Sequence, residues 1–171
     1  MNANARREKI YQLLLTAAAP LSATALAKEY GVSRQVIVGD VALLRAEGRQ
    51  ITATPRGYLI TQSSGLTVQL AVCHSGEETR EELYAMVDCG CTVLDVVVEH
   101  PVYGQLTAVL QISSRYDVDQ FMERMAGSDA RPLSLLTEGI HLHTVSCPDE
   151  GALRHLKEKL RATGVLLEEE N

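Results

Sequence analysis

Hydrophobic positions along this chain follow a helical period at first and a strand period later. In the first third, apolar residues recur three and four apart: Ile10, Leu13 and Leu14 within Arg7 to Leu15, then Leu26 and Ala27 within Ala23 to Tyr30. A third run carries Val36, Val41 and Leu44, with Ile37 and Leu43 beside them. Residues at that spacing share one helix face, so three short amphipathic helices are predicted. Ser22 and Ser33 stand where a side-chain oxygen can accept from the free N–H groups of a first turn. Gly48 stands where a left-handed residue ends a helix. Residues 50–60 alternate around the tip Pro55-Arg56-Gly57, which predicts two short strands.

Three helices followed by such a hairpin describe a winged helix-turn-helix, whose second paired helix enters the major groove of DNA. Ser33, Arg34, Gln35 and Asp40 are expected near the outward start of that recognition helix. Arg56 is expected to reach a phosphate or the minor groove from the wing. A three-helix packing module with no DNA partner would show the same periodicity.

From residue 66 onward the period shifts to two, interrupted by helical runs. Leu66 to Cys73, Thr92 to Glu99 and Gln105 to Ser113 read as strands, and Glu77 to Asp88, Asp117 to Ala126 and Pro148 to Thr163 as helices. Ser134 to Cys147 is expected to form a hairpin around Gly139, with Leu135 and Leu136 in its first arm, and Val165 to Leu167 a last strand. This order gives an α+β fold, an antiparallel sheet with helices on one face, as a two-layer sandwich. The 171 residues therefore divide into a winged helix over residues 1–62 and a second domain over 66–171, joined at Ser63-Ser64-Gly65.

Charge changes the picture at the same joint. The first 62 residues hold eight Lys/Arg against four Asp/Glu, while the remainder carries a formal −10 within the total of −6. A basic local face suits phosphate, and two copies on two half-sites would double it, so a homodimer is expected. No apolar run is long enough for a membrane span and no signal peptide opens the chain, which makes a cytoplasmic protein without a membrane partner the expectation. Cys73, Cys89, Cys91 and Cys147 lack the spacing of a zinc knuckle or redox pair and are expected to be reduced thiols.

Candidate chemistry lies in the histidines. In His141-Leu142-His143 two imidazoles project from one face of a strand, close enough to share an ion. His74 ends the first strand of the second domain, and Glu78, Glu81 and Glu82 follow on the next helix. Three imidazoles and one carboxylate suit one divalent transition metal, Ni²⁺, Zn²⁺, Fe²⁺ or Co²⁺. Surface or packing histidines would give the same pattern, and spacing does not choose between Glu78 and Glu82.

Four blocks carry a resemblance: Ser33-Arg34-Gln35-Val36-Ile37-Val38, Ala53-Thr54-Pro55-Arg56-Gly57-Tyr58, Val98-Glu99-His100-Pro101-Val102-Tyr103-Gly104 and Glu138-Gly139-Ile140-His141-Leu142-His143-Thr144. In this order, over nearly the whole chain, they resemble those of the niacin-responsive transcriptional repressors. That resemblance implies a winged helix joined to an HPr-like sensing domain. It also implies repression of niacin uptake and salvage genes, with nicotinic acid as co-repressor. It implies a metal held at His74, Glu82, His141 and His143. Gly39 departs from the family, whose members tend to carry a long polar residue there, so the operator is expected to differ.

Nicotinate, a flat aromatic anion, needs a cation or donor and apolar walls, and a metal with an open position would meet its nitrogen or carboxylate. His100 and Tyr103 are candidate ligand contacts; a turn histidine holding backbone is the alternative for His100. A metal-dependent hydrolase, another small-molecule-binding regulator and a biotin ligase–repressor are the other classes. The chain shows no separate base or nucleophile motif, and it is too short for a ligase domain.

Overall fold

The computed structural model describes residues 2–60 and 65–168, so Ser63 and Ser64 of the expected joint lie outside the described residues. The chain forms two compact units, Met1–Gln62 and Ser63–Asn171.

The first unit contains α1 (Ala3–Thr16), α2 (Ala23–Tyr30), α3 (Arg34–Ala46) and a hairpin of β1 (Thr52–Thr54) and β2 (Gly57–Leu59). Ser22 Oγ accepts from Ala25 N–H at 3.0 Å and Ser33 Oγ from Val36 N–H at 3.3 Å, so both serines cap as the pattern requires. Gly31 ends α2 at φ +64°, a conformation that permits the tight turn into α3. Ile10 and Leu14 of α1 meet Leu26 of α2 and Ile37, Val41 and Leu44 of α3 in one core. Leu21 pairs with Tyr58 through reciprocal backbone hydrogen bonds of 2.8 and 2.9 Å, which ties the hairpin to the helices.

Two expectations for α3 are corrected here. Val36 and Leu43, read as part of the apolar stripe, are 39% and 50% exposed. Asp40, read as facing outward, is buried. The inward face repeats at Ile37, Asp40, Val41 and Leu44. Asp40 is accommodated there because Arg6 of α1 forks onto it, Nε to Oδ2 at 2.6 Å and Nη2 to Oδ1 at 3.2 Å. Asp40 therefore braces the recognition helix against α1 and is withdrawn from the DNA-facing side.

The second unit is α+β. Its strands are β3 (Leu66–Cys73), β4 (Thr92–His100), β5 (Gly104–Ile112) and β6 (Ile140–Cys147), and its helices α4 (Thr79–Asp88), α5 (Arg115–Ala126) and α6 (Glu150–Ala162). The sheet order is β3-β6-β4-β5, antiparallel throughout. Leu70 and Val72 of β3, Val93 of β4, Leu110 of β5 and Val145 of β6 share one core with Leu83 and Met86 of α4, Val118 of α5 and Leu156 and Leu160 of α6. All three helices thus cover the same sheet face, which is the two-layer arrangement the element order predicts.

Three local readings change. The residues expected to form the first arm of a hairpin are a 3-10 helix, Leu133–Thr137, because the turn that follows places Glu138 at φ +55° and Gly139 at φ +94° before β6 begins. The helix read from Glu77 starts as a 3-10 turn, Gly76–Glu78, before α4. The last segment makes an isolated bridge, Val72 to Leu166, in place of a full strand.

Candidate metal and ligand site

Period-two alternation builds two walls of the site. Along β6, His141, His143, Val145 and Cys147 are buried while their neighbours are not, so the paired imidazoles occupy the core face of the strand. Along β3, Leu70 and Val72 lead to His74 on the same parity, one residue past the strand end. On α4, Glu82 lies one turn before Met86 and points with it toward the sheet. His74, Glu82, His141 and His143 are all at least 93% buried, since their exposures are 7, 3, 4 and 3%.

Glu78 is settled by its hydrogen bonds. Its carboxylate turns back to accept from Ser75 N–H at 2.8 Å and Ser75 Oγ–H at 3.1 Å, capping the 3-10 turn. Glu81 is exposed. Only Glu82, one turn further, reaches the histidines.

Each ring is oriented through Nδ1, which donates to a backbone carbonyl: His74 to Ser75 at 2.5 Å, His141 to Gly139 at 2.8 Å and His143 to Asp95 at 2.8 Å. A carbonyl oxygen only accepts, so all three Nδ1 atoms carry hydrogen and all three Nε2 lone pairs face inward. Glu82 Oε2 lies 2.6 Å from His74 Nε2 and 3.5 Å from His143 Nε2, and Oε1 lies 3.5 Å from His141 Nε2. One donor atom each from His74, Glu82 and His141 falls within 4.8 Å of the others.

Four groups that accept in their neutral-imidazole and carboxylate forms thus converge in a buried volume. Only protons or a cation can satisfy such a set, and three nitrogens with one oxygen match a borderline divalent ion. Glu82 Oε1 is also buried without a hydrogen-bond partner among the described residues. The residues present fit the metal that the sequence implied.

Electrostatics follow from the same convergence. Burial alone would raise the Glu82 pKa, but the charge of His143 and the close approach of the three rings outweigh it and hold the carboxyl well below its usual range. Burial alone would lower His74 and His143. The hydrogen bond and charge of Glu82 outweigh it, and both rise above 6.5.

Gly139 is the backbone hub. Its carbonyl accepts from His141 Nδ1–H and, at 3.3 Å, from His74 N–H. A Cβ at this residue would lie 2.4 Å from the His74 carbonyl oxygen, and φ is +94°, so the strand end and the turn meet only with glycine here. On the far side a β-bulge in β4 sets His143. Val93 faces Val145 and Val96 faces His143, so β4 spends one more residue than β6 between these pairs.

Beside the cluster a cavity of about 310 Å³ lies between α4, α5 and the sheet. Glu82, His141 and His143 form one wall, and Leu83, Leu110, Phe121, Met122 and Met125 form apolar walls. Arg131 lines it as its cationic residue, and Thr79 contributes a hydroxyl that is buried without a partner among the described residues. Arg131, Thr79 and the α5 side chains escaped sequence reasoning. The helical period of Phe121, Met122 and Met125 reads equally as core.

His100 and Tyr103, the two residues expected at the ligand, do not line this cavity. His100 Nδ1 accepts from Val102 N–H at 3.1 Å and Tyr103 N–H at 3.2 Å, the turn-holding arrangement. Its ring lies 5.0 Å from that of Tyr103, which is 75% exposed. His100 lines a second cavity of about 570 Å³ that shares His141 with the first. Tyr103 lines neither cavity. In the first unit, Arg34 and Gln35 are exposed at the start of α3 beside the cap Ser33, and Arg56 lies in the turn between β1 and β2.

Comparisons with known proteins follow this two-unit layout. A family described as the 3H domain matches residues 67–169, and one described as an HTH domain matches residues 6–59. The chain is similar to the "Probable transcription repressor NiaR" of Thermotoga maritima, 42% identical over 165 residues that span 96% of this chain and 94% of that protein. It is likewise similar to the "Transcription repressor NadR" of Bacillus subtilis, 41% identical over 174 residues, 99% of this chain and 96% of that one.

Proposed function

The chain belongs to the family of 3H-domain transcription repressors with an N-terminal helix-turn-helix, and from that premise we propose that it is a repressor whose DNA grip is set by a small ligand in the 310 Å³ cavity. It is a regulator and not an enzyme, as its relatives are. The ligand is nicotinic acid acting as co-repressor, and the genes are those of niacin uptake and salvage.

The observation that carries this reading is the shared wall. Glu82, His141 and His143 belong at once to the acceptor cluster and to an apolar cavity, so whatever occupies one touches the other. His74, Glu82, His141 and His143 would hold one divalent ion, nickel or zinc foremost, with iron and cobalt as alternatives. Such an ion would offer an open position to a ring nitrogen or carboxylate. Phe121 and Met122 supply flat and adaptable apolar walls for an aromatic ring. Thr79 Oγ1 supplies a hydrogen-bonding hydroxyl, and Arg131 a positive charge for the acid group.

Two chains on two operator half-sites complete the reading, since a single module of this size makes few base contacts. Ligand binding shifts the population toward the dimer geometry that fits DNA, in proportion to its differential affinity for that geometry.

Calorimetry tests this with nicotinate titrated into Ni²⁺-loaded and chelator-treated full-length protein, followed by operator binding. Saturable nicotinate binding that weakens on chelation and strengthens DNA binding supports the proposal. No binding of nicotinate in either state refutes the ligand, and binding indifferent to chelation refutes the role of the metal.

A further inference from the structure

The helix-turn-helix unit presents an unusual reading face, and this inference rests on DNA binding alone, not on what fills the cavity. Over the first two turns of α3, Arg34 and Gln35 are the exposed side chains that can make hydrogen bonds. Neither has a partner among the described residues. Asp40 is turned inward onto Arg6. Further along, the outer face carries Val36, Gly39, Ala42 and Leu43, all exposed, before Arg45 and Ala46 in the last turn.

Gly39 lies one turn from both Gln35 and Val36. Its backbone is ordinary helix, and a Cβ there would meet nothing within 4 Å. No contact inside the unit demands glycine, while glycine in a helix interior weakens the helix. What glycine does provide is bare backbone on the face that meets the major groove.

We propose that α3 reads a core of adjacent A·T pairs: Gln35 takes adenine, Val36 packs on a thymine methyl, and the bare backbone at Gly39 lets the helix sit deep enough for both. An amide side chain pairs in two places with adenine N7 and N6–H₂, and an apolar side chain recognises the thymine methyl group. Arg34, at the helix start, is placed for a phosphate or a guanine beside that core. With no other donor or acceptor on these turns, discrimination concentrates on one or two base pairs.

The test selects bound sequences from a randomised DNA duplex library with the full-length protein, with and without added Ni²⁺ and nicotinate. The wild type should enrich half-sites with adjacent A·T pairs. Gln35→Ala should lose about tenfold or more of the preference at one of those pairs, and keep unselective duplex binding and its salt dependence. Gly39→Ala should melt roughly 4–8 °C higher, because the helix gains stability in open space, and still bind the selected site at least about fivefold more weakly. A selected core without A·T pairs, an unchanged preference in Gln35→Ala, or Gly39→Ala binding as tightly as wild type would each overturn the proposal. So would a selection that enriches nothing. Nicotinate binding by calorimetry is read separately, so failure of the sensor and failure of this reader are told apart.

Discussion

His143 donates Nδ1–H to the carbonyl oxygen of Asp95 at 2.8 Å, and the Asp95 side chain accepts from Thr144 N–H at 3.1 Å. Asp95 thereby holds both the ring and the backbone beside it, within the bulge of β4. Partners of this kind fix tautomer and orientation of a ligating imidazole. Asp95→Ala removes the side-chain hold without removing a ligating group. Ni²⁺ or Zn²⁺ affinity should fall by roughly ten- to a hundredfold, with secondary structure retained by circular dichroism. Unchanged affinity would mean that the bulge holds His143 without its aspartate.

Gly139→Ala should have a larger effect than its size implies. The added carbon collides with the His74 carbonyl and is strained at positive φ, so the turn must move away from the end of β3. Both His74 and His141 lose their backbone reference through the Gly139 carbonyl. One-to-one metal binding should be lost in the titration. Gly164→Ala, also at positive φ but with open space around it, is the control for backbone strain alone.

Metal stabilisation should grow with pH. In metal-free protein His74 and His143 have pKa values raised above 6.5, so their contribution to stability is complete below 6.5 and is lost as pH rises through the raised values. Glu82, depressed well below its usual range, contributes above the unfolded carboxylate value and loses that contribution only in acid. A bound ion needs the imidazoles neutral, so its affinity climbs over the same window in which the metal-free protein weakens. The rise in Tm caused by Ni²⁺ or Zn²⁺ should therefore increase between about pH 6 and pH 8. A flat metal-induced shift across that range contradicts this set of ligands.

Arg6 and Arg56 should behave as opposites. Arg6 is engaged with buried Asp40, so Arg6→Ala strands a buried carboxylate and lowers the Tm of the N-terminal unit. Arg56 is half-buried in the wing turn, and Arg56→Ala should make DNA binding less salt-dependent by about one phosphate. Melting curves and binding isotherms at several salt concentrations separate the two. A steeper loss of salt dependence from Arg6→Ala would place that arginine at the phosphates.

Much of this protein is legible as pattern, because period and capping are local. Helical spacing with Ser22 and Ser33 before two of the runs places the reader helices, and alternation through Leu70, Val72 and His74 and through His141, His143 and Val145 puts the imidazoles on one sheet face. Other features depend on partners distant in the chain. Asp40 reads as an outward polar residue until Arg6, 34 residues earlier, is found beside it. Leu135 and Leu136 read as strand because their apolarity matches one, yet the turn at Glu138 and Gly139 winds that segment into a 3-10 helix. Glu78 and Glu82 are equivalent by spacing, and only Ser75 capturing the first leaves the second for the histidines. Local sequence thus determined the main helices and strands and the face that β3 and β6 bury. Tertiary structure decided which polar groups meet, because a buried charge or lone pair takes its meaning from whatever the fold brings within hydrogen-bonding reach.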